Sequence, residues 1–299
     1  SNAFTGRLGE KAVVRVTSAV AKALGLPKSR VFSSSTGVIG EPLPYDRITT
    51  RVHDLAANLD PGGIEKAARA IMTTDTFPKG AAAEIAGEGG PIRIAGIAKG
   101  SGMIAPDMAT MLVYIFTDAM ISPKLLQKML SRQVDDTFNA ITVDSDTSTS
   151  DALLLAATGQ SAAAEIRSGK DPIARAFESA LAQVMRNLAQ QVVRDGAGAT
   201  KFVETAIAGE DPNWGRIVMA VGKSGAKADR DRLSIRFGDI LVAEKGWRNP
   251  MYREEDGAAF MQQDELTINV DLGLGRASRT VWTCDLTHGY IDSNADYRS

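Results

Sequence analysis

The chain of 299 residues carries 34 basic and 36 acidic side chains, which give a formal net charge of −2. Because the basic residues are scattered along the chain, no patch for nucleic acid or for an anionic membrane surface is indicated. No apolar run approaches the roughly 20 residues that cross a bilayer, so we expect no membrane segment. Cys284 is the single cysteine, which excludes an intramolecular disulfide and favours a reducing compartment, the cytoplasm.

Apolar residues recur at helical spacing in four segments and alternate in several others. The predicted helices cover residues 10–25, 61–72, 123–138 and 172–196. The predicted strands cover residues 30–33, 92–97, 111–117, 233–237, 266–272 and 280–284. Residues 87–90, Gly-Glu-Gly-Gly, are typical of a hairpin turn. Since strands and helices interleave throughout, we predict an α/β fold with mixed sheets layered with helices.

The segment from Lys99 to Leu112 combines a glycine-bearing loop with a hydroxyl at the start of an apolar strand. That hydroxyl belongs to Thr110, and threonine is a poor nucleophile unless a base takes its proton. Cleavage of the chain directly before Thr110 would supply the base, because the new α-amine lies on the same residue. The segment suggests a self-processing enzyme with Thr110 as nucleophile; the alternative is a threonine that merely favours a β-strand.

Four further features each allow two interpretations. Ser33–Gly37 is either an oxyanion hole, which stabilises charge on a carbonyl oxygen, or a plain turn. Lys99 is either a clamp for a charged substrate or an exposed strand end. Asp144–Asp151 lacks the glycine and terminal glutamate of a calcium loop, so a hydrogen-bonded loop is favoured over a metal site. Gly209–Gly215 is either a helix start or the rim of a site.

Histidines are scarce in this chain. Only His53 and His288 occur, and no signature sequence places either beside a nucleophile. Two distant histidines and one cysteine also make a zinc site an unfavoured interpretation. This composition favours a mechanism that needs no histidine, as an amine-activated threonine does.

Six segments together resemble one known family, the bifunctional ornithine acetyltransferase/glutamate N-acetyltransferases of arginine biosynthesis. The matching segments are residues 33–44, 73–79, 99–112, 141–149, 209–216 and 284–290. They extend over nearly the whole chain. The resemblance implies a fold of layered sheets and helices like that of self-processing aminopeptidases.

The resemblance also implies a reaction. Autoproteolysis between Ala109 and Thr110 would give an α chain of residues 1–109 and a β chain of residues 110–299. Thr110 would take the acetyl group from N-acetylornithine and pass it to glutamate by a ping-pong route, and some family members also use acetyl-CoA as donor. No metal or bound cofactor is implied. The family assembles from α/β pairs, so a heterotetramer is expected.

By motif matching, the resemblance assigns roles to individual residues. Thr36 and Gly37 would form the oxyanion hole. The residues that would contact substrate are Thr76, Lys99, Thr110, Asn294 and Ser299.

The chain departs from the family pattern in three places. Family members have a substantial segment before the region where residues 2–6 align, and a strand and helix are expected between Glu204 and Thr205. Ala197 stands where the family has a glutamate that pairs with the amino group of the substrate. These departures leave a degenerate homologue that binds amino acids without catalysis as one alternative. The resemblance of the fold to self-processing aminopeptidases leaves another, a hydrolase or aminopeptidase of the same type.

Overall fold

The computed structural model describes residues 3–102, 104, 111–144, 151–199, 202–203 and 212–295, with the side chains of 202–203 and 293–295 outside the description. The helices in these residues are α1 Gly6–Leu24, α2 Tyr45–Thr49, α3 Val52–Ala57, α4 Ile64–Ala70, α5 Pro123–Val134, α6 Pro172–Arg194, α7 Trp214–Lys223, α8 Glu254–Met261 and α9 His288–Ala295. The strands are β1 Lys79–Gly87, β2 Gly90–Lys99, β3 Leu112–Thr117, β4 Ala152–Ala157, β5 Phe202–Val203, β6 Ser234–Phe237, β7 Ile240–Glu244, β8 Trp247–Arg248, β9 Glu265–Leu266, β10 Ile268–Asp271 and β11 Thr283–Cys284.

The main sheet has the strand order β1-β2-β3-β4. The first three strands are antiparallel, and β4 runs parallel to β3. The predicted hairpin turn is confirmed, because Gly87 pairs with Gly90 where β1 turns into β2. The sheet is mixed, as predicted.

The long helix α6 covers one face of this sheet. Proline at its first turn and an apolar stripe at helical spacing explain why it forms and which side it buries. Its fully buried side chains include Phe177, Leu181, Met185 and Leu188, which share one core with strand residues such as Ile94 and Ile115. The predicted helix over 172–196 is therefore confirmed.

A second core forms around β6, β7, β10 and α8. The sheet order there is β10-β6-β7-β8, and Ile235, Val242 and Met261 are fully buried in it. The rings of Phe237 and Phe260 stack with their centroids 6.1 Å apart. A third small sheet, in the order β11-β5-β9, pairs strands from three distant parts of the chain.

Other sequence predictions are confirmed with shifted ends. The helix predicted over 10–25 is α1, and the one predicted over 123–138 ends at Val134, with Phe138 in a separate 3-10 turn. The strand predicted over 280–284 is paired only at Thr283–Cys284.

Two predictions need correction. Residues 30–33 are not a strand: a 3-10 turn covers Lys28–Arg30, residues 31–33 have no regular structure, and Phe32 is exposed. The helix predicted from Pro61 begins at Ile64, because the Asp60 carboxylate accepts the Gly62 N–H at 2.9 Å and forms a turn there instead.

Gly96 in β2 lets α6 lie unusually close to the sheet. A Cβ at this position would come within 2.9 Å of Leu188 Cδ1 and 3.0 Å of Ile115 Cγ1. On β1, the paired strand, Gly80 has only the Gly96 carbonyl oxygen near its own Cβ position, at 3.8 Å. The distance between sheet and helix thus depends on a glycine at 96 and not at 80.

We predict that Gly96→Ala destabilises the protein by about 1–3 kcal/mol, because the added methyl overpacks the core. Gly80→Ala, which adds the same methyl to open space, is the matched control and should leave stability nearly unchanged. Urea unfolding of both variants measures the difference. Equal midpoints for the two variants would contradict the close approach described here.

Candidate functional site

Lys99 is buried at the end of β2, next to the start of β3. The strand register pairs Lys99 with Leu112 and Ile97 with Tyr114. Side chains alternate along strands, so these four residues lie on one face of the sheet, opposite the face that α6 covers. Lys99 is only 3% exposed, which excludes the interpretation of an exposed strand end.

A second buried lysine links two carboxylates. The Lys79 ammonium is fully buried and donates to Asp75 Oδ1 at 2.6 Å and to Asp195 Oδ2. Asp195 follows the last residue of α6, so one ammonium joins the loop before β1 to the end of the long helix. We call Asp75, Lys79 and Asp195 the buried charge cluster.

The Asp75 carboxylate also holds backbone around Lys99. Its Oδ1 accepts the Gly100 N–H at 2.7 Å, and its Oδ2 accepts the Thr73 N–H at 3.1 Å. Burial alone would raise the pKa of Asp75, but the Gly100 amide and Lys79 outweigh burial and lower it. Asp75 is therefore ionised at neutral pH.

Lys99 differs from Lys79 in its surroundings. Among the residues that the structure describes, no atom accepts a hydrogen bond from the Lys99 ammonium. Burial lowers its pKa, with a further lowering from Lys79, while the charges of Asp75 and Asp151 act to raise it. An ammonium in this setting can take a negatively charged group of a small molecule as its partner.

The turn after α6 meets the loop after Lys99. The Ala197 N–H donates to the Ser101 carbonyl at 2.6 Å, and the Ser101 hydroxyl is hydrogen-bonded to Thr74 at the same distance. A Cβ on Gly102 would lie 3.8 Å from the Cβ of Ala197. Position 197 therefore lies beside the Lys99–Gly102 loop.

The C-terminal helix α9 contacts the same region. The Tyr290 hydroxyl donates to Asp144 Oδ2 at 2.8 Å, and Asp144 Oδ1 accepts the Ile104 N–H at 3.0 Å. The Thr287 hydroxyl donates to the Gly198 carbonyl at 2.6 Å. A Cβ on Gly198 would lie 2.0 Å from the carbonyl carbon of Gly289, so here two backbone segments touch.

Met111, the residue before β3, is hydrogen-bonded through both its N–H and its carbonyl group. Asp151 Oδ1 accepts the Met111 N–H at 2.7 Å, and the Ala152 N–H donates to the Met111 carbonyl at 3.0 Å. Asp144 and Asp151 thus both accept backbone amides, and residues 145–150, the rest of the predicted hydrogen-bonded loop, lie outside the described residues. The described residues contain no group of metal-binding side chains.

The loop with the predicted oxyanion residues lies on the Lys99 side of the sheet. Ser34 and Tyr114 hydroxyls are 2.5 Å apart, and Tyr114 lies on the same sheet face as Lys99. Thr36 and Gly37 follow within three residues and are partly buried. Their role in stabilising an oxyanion stays a prediction.

The remaining predicted site residues have mixed outcomes. The Thr76 hydroxyl and amide both donate to Asp195, which brings Thr76 to the buried charge cluster. Ala109, Thr110 and Ser299 lie outside the described residues. Asn294 lies in α9, and its side chain is outside the description.

One other sequence interpretation, and the state of the single cysteine, can be described from the structure. Gly209–Gly215 contains the start of α7 at Trp214, in agreement with a helix start. Burial raises the pKa of Cys284 to about 12, with further raising by Asp285 and Asp144, so the thiol is protonated and not nucleophilic at neutral pH.

Sequence reasoning missed the buried charge cluster. Asp75 and Lys79 lie inside the matching segment of residues 73–79, yet in a loop their spacing of four carries no geometric meaning. Asp195 precedes a glycine that ends a helix, which is an ordinary sequence context. The available signal was a charged residue, Lys79, at the start of a run of small apolar residues.

A mixed sheet covered by one long helix, with buried charges and converging loops at one end, defines an α/β enzyme fold with a polar site. The sequence model described as "ArgJ family" matches residues 1–205 and 202–299, and the chain belongs to the ArgJ family. The two matched parts meet at the junction after Glu204, where a strand and a helix were expected.

Similar proteins agree with this assignment. The "Arginine biosynthesis bifunctional protein ArgJ" of Ruegeria pomeroyi is 61% identical over 326 aligned positions, which cover 100% of this chain and 78% of that protein. The protein of the same name from Brucella suis is 49% identical over 328 positions, which cover 100% of this chain and 79% of that protein. Both alignments are longer than this chain, so each relative contains residues that this chain lacks.

A solved structure has the same fold. The crystal structure of the arginine biosynthesis bifunctional protein ArgJ from Bacillus halodurans matches with a TM-score of 0.58 and 33% identity. The match covers 62% of this chain and 98% of that chain. In the part of the present chain that the structure describes, no helix has the length and apolar character needed to span a bilayer.

We predict that Lys79→Met destabilises the protein by about 3–5 kcal/mol, because two buried carboxylates lose their shared cation. Without the ammonium the pKa of Asp75 rises, so the loss should be largest at neutral pH and smaller in acid, where the carboxyl can protonate. Urea unfolding at two pH values measures both effects.

The matched control is Arg69→Met. Arg69 and Glu65 form an ion pair of 2.9 Å with the same four-residue spacing as Lys79 and Asp75, but both side chains are more than half exposed. This variant should lose little stability. A Lys79→Met variant as stable as Arg69→Met would show that the buried charge cluster does not support the fold.

Proposed function

We propose that this chain transfers acetyl groups from N-acetylornithine to glutamate through an acetyl ester on Thr110, and so serves arginine biosynthesis. The observation that carries the proposal is the buried Lys99 ammonium, paired in register with Leu112, two residues beyond Thr110. Membership in the ArgJ family supports the reaction class. A cation at this place suits the carboxylate that both substrates carry.

In the first half-reaction, the α-amine of Thr110 takes the proton of the Thr110 hydroxyl. The hydroxyl oxygen attacks the acetyl carbonyl carbon, and a tetrahedral oxyanion forms. When this intermediate collapses, the amide C–N bond breaks and the proton moves to the departing amine. Ornithine leaves, and the acetyl group remains as an ester on Thr110.

In the second half-reaction, glutamate replaces ornithine at the Lys99 ammonium. Its neutral α-amine attacks the ester carbonyl, the bond to the Thr110 oxygen breaks, and the threonine hydroxyl regains a proton. N-acetylglutamate is released. Splitting one acyl transfer into two steps lets a single site serve two amines of similar shape.

Thr36 and Gly37 are proposed to stabilise the oxyanion in both half-reactions. Their loop is attached to β3 by the Ser34–Tyr114 hydrogen bond, four residues beyond Thr110 in sequence. A hydroxyl and a backbone N–H are the donor types that such a hole requires. Thr76, Asn294 and Ser299 are proposed as further substrate contacts.

The free amine requires cleavage between Ala109 and Thr110. The same hydroxyl would attack the Ala109 carbonyl, move the acyl group from nitrogen to oxygen, and leave an ester that water hydrolyses. The products are an α chain of residues 1–109 and a β chain of residues 110–299. The Met111 amide, held by Asp151 at 2.7 Å, supports a fixed position for the peptide after Thr110.

Assembly, location and donor range are part of the proposal. We expect two α/β pairs to form a heterotetramer in the cytoplasm, without a metal or bound cofactor. Acetyl-CoA is proposed as an additional donor, because the acetyl-threonine intermediate is the same whichever donor forms it.

A second candidate function is hydrolysis of the acetyl ester, with water in place of glutamate. Ala197 is the observation in its favour: a methyl beside the Lys99 loop cannot pair with the amine of an incoming amino acid. Release of acetate without glutamate distinguishes hydrolysis from transfer. A protein that neither cuts itself nor turns over N-acetylornithine would instead be the amino-acid-binding alternative.

We predict that the purified protein gives two masses, for residues 1–109 and 110–299, in a denaturing intact-mass spectrum. Thr110→Ala should give a single uncut mass and no acetyl transfer, because both steps need the same hydroxyl. Thr158→Ala, an exposed threonine at the end of β4, is the control and should behave like the unaltered protein. An uncut, active protein would refute the amine-activated mechanism.

We predict that Ala197→Glu lowers the KM for glutamate by about tenfold, the effect of roughly 1.4 kcal/mol from one new ion pair. Ala197→Gln has nearly the same shape without the charge and should gain little. Initial rates over a range of glutamate concentrations measure both. If the two variants share one KM, the charge at 197 does not contact the substrate amine.

A further inference from the structure

The most informative unassigned group is Asp75, because it connects the buried charge cluster to Lys99. The sequence resemblance gave it no role, and no step of the proposed reaction uses it. It is 7% exposed and accepts hydrogen bonds from two backbone amides and one ammonium. Such a set of partners fixes the carboxylate firmly.

We propose that Asp75 is a positioning residue for Lys99: anchored by Lys79, it holds the Lys99–Gly100 turn and so sets where the Lys99 ammonium meets the substrate carboxylate. The inference rests on the proposed function in that Lys99 binds the substrate. Asp75 itself touches neither substrate nor nucleophile in this scheme.

The turn after Lys99 needs such an anchor. Gly100 has a φ of 146°, which a residue with a side chain rarely adopts. Two contacts from the loop before β1 hold this turn: Asp75 accepts the Gly100 N–H at 2.7 Å, and the Thr74 and Ser101 hydroxyls are 2.6 Å apart. The loop before β1 thus holds the backbone that follows Lys99.

Lys79 fixes Asp75 in turn. Its ammonium donates to Asp75 Oδ1 at 2.6 Å and is held from the other side by Asp195. Because Asp195 lies two residues before Ala197, the same cluster also sets the distance between Lys99 and position 197. The Lys79 ammonium therefore fixes Lys99, which is proposed to bind the substrate carboxylate, relative to position 197, which is proposed to lie near the substrate amine.

The charges that act on Lys99 come from three segments. Asp75 on the loop before β1 and Asp151 before β4 favour the protonated ammonium, whereas Lys79 in β1 disfavours it. Removing the Asp75 charge takes away one of the two favourable contributions. The pKa of Lys99 should then fall further below its usual range, and the ammonium should lose its proton at a lower pH.

The first test is a double-mutant cycle on Asp75 and Lys99. Asp75→Asn should raise the KM for N-acetylornithine, by up to about 100-fold for a displacement near 1 Å, with a smaller change in kcat. Lys99→Met should also raise the KM. In the Lys99→Met background, Asp75→Asn should add little, because its effect passes through Lys99. An equal, additive effect in both backgrounds would overturn the proposal.

The second readout is the pH profile of kcat/KM for N-acetylornithine. In Asp75→Asn the alkaline limb should move to lower pH, since Lys99 must be protonated to bind the carboxylate. A purely structural role for Asp75 would reduce the amount of folded enzyme without moving this limb. An unmoved limb therefore counts against the proposal.

Asp118→Asn is the matched control. Asp118 Oδ1 accepts the Arg93 N–H at 2.7 Å, so a carboxylate makes the same kind of backbone contact near the other end of β2, away from Lys99. This variant should keep both the KM and the pH profile. If it shifts them as Asp75→Asn does, the effect is not specific to the Lys99 turn.

The design remains informative if Asp75→Asn does not fold. The variant Asp75→Glu keeps a carboxylate beside the Lys79 ammonium, so no buried charge loses its partner, but the extra methylene displaces the acceptor of the Gly100 N–H. It should still show the raised KM, because the Lys99–Gly100 turn is no longer held in the same place. If the unaltered protein does not transfer acetyl groups, the proposed function fails; if it does and these variants keep its KM, only the role of Asp75 fails.

Discussion

The Lys79 ammonium between the Asp75 and Asp195 carboxylates is the interaction on which the site depends. It joins the loop before β1, the first strand and the end of α6, segments about 116 residues apart in sequence. Removing water from three charges is costly, and the cost is offset only where each charge has close partners. Thr76 and the Lys99–Gly100 turn are hydrogen-bonded to this cluster, and the turn that carries position 197 begins at one of its members, Asp195.

The sequence was sufficient for the elements whose pattern is periodic. The apolar stripe of α6 and the proline at its start predict its bounds closely, and the isoleucines of β2 predict that strand. The strands β1 and β4 were not predicted, because they consist largely of alanine and leucine, which favour helices as much as strands. They become strands through pairing with β2 and β3, a tertiary effect that local sequence does not contain.

The site residues were predicted from motifs and not from periodicity. Motif resemblance pointed to Lys99 and to position 197, and the structure brings both beside the Ser101–Gly102 loop. It could not indicate how they are held there, because Asp195 lies in no motif and reaches Lys79 only through the path of α6. Residues that contact a substrate have a local chemical signature, whereas the groups that orient them are recognised only once the chain is folded.

The turn after α6 also constrains how this protein can evolve. Position 197 is partly buried beside the Lys99 loop, and the backbone there accommodates a side chain, that of Ala197. Its neighbour Gly198 has no such freedom, since any side chain would collide with the backbone at Gly289 and push α9 away. If the proposed function holds, mutations at position 197 can change which amino acid is preferred, while the adjacent Gly198 keeps the C-terminal helix in place against the turn.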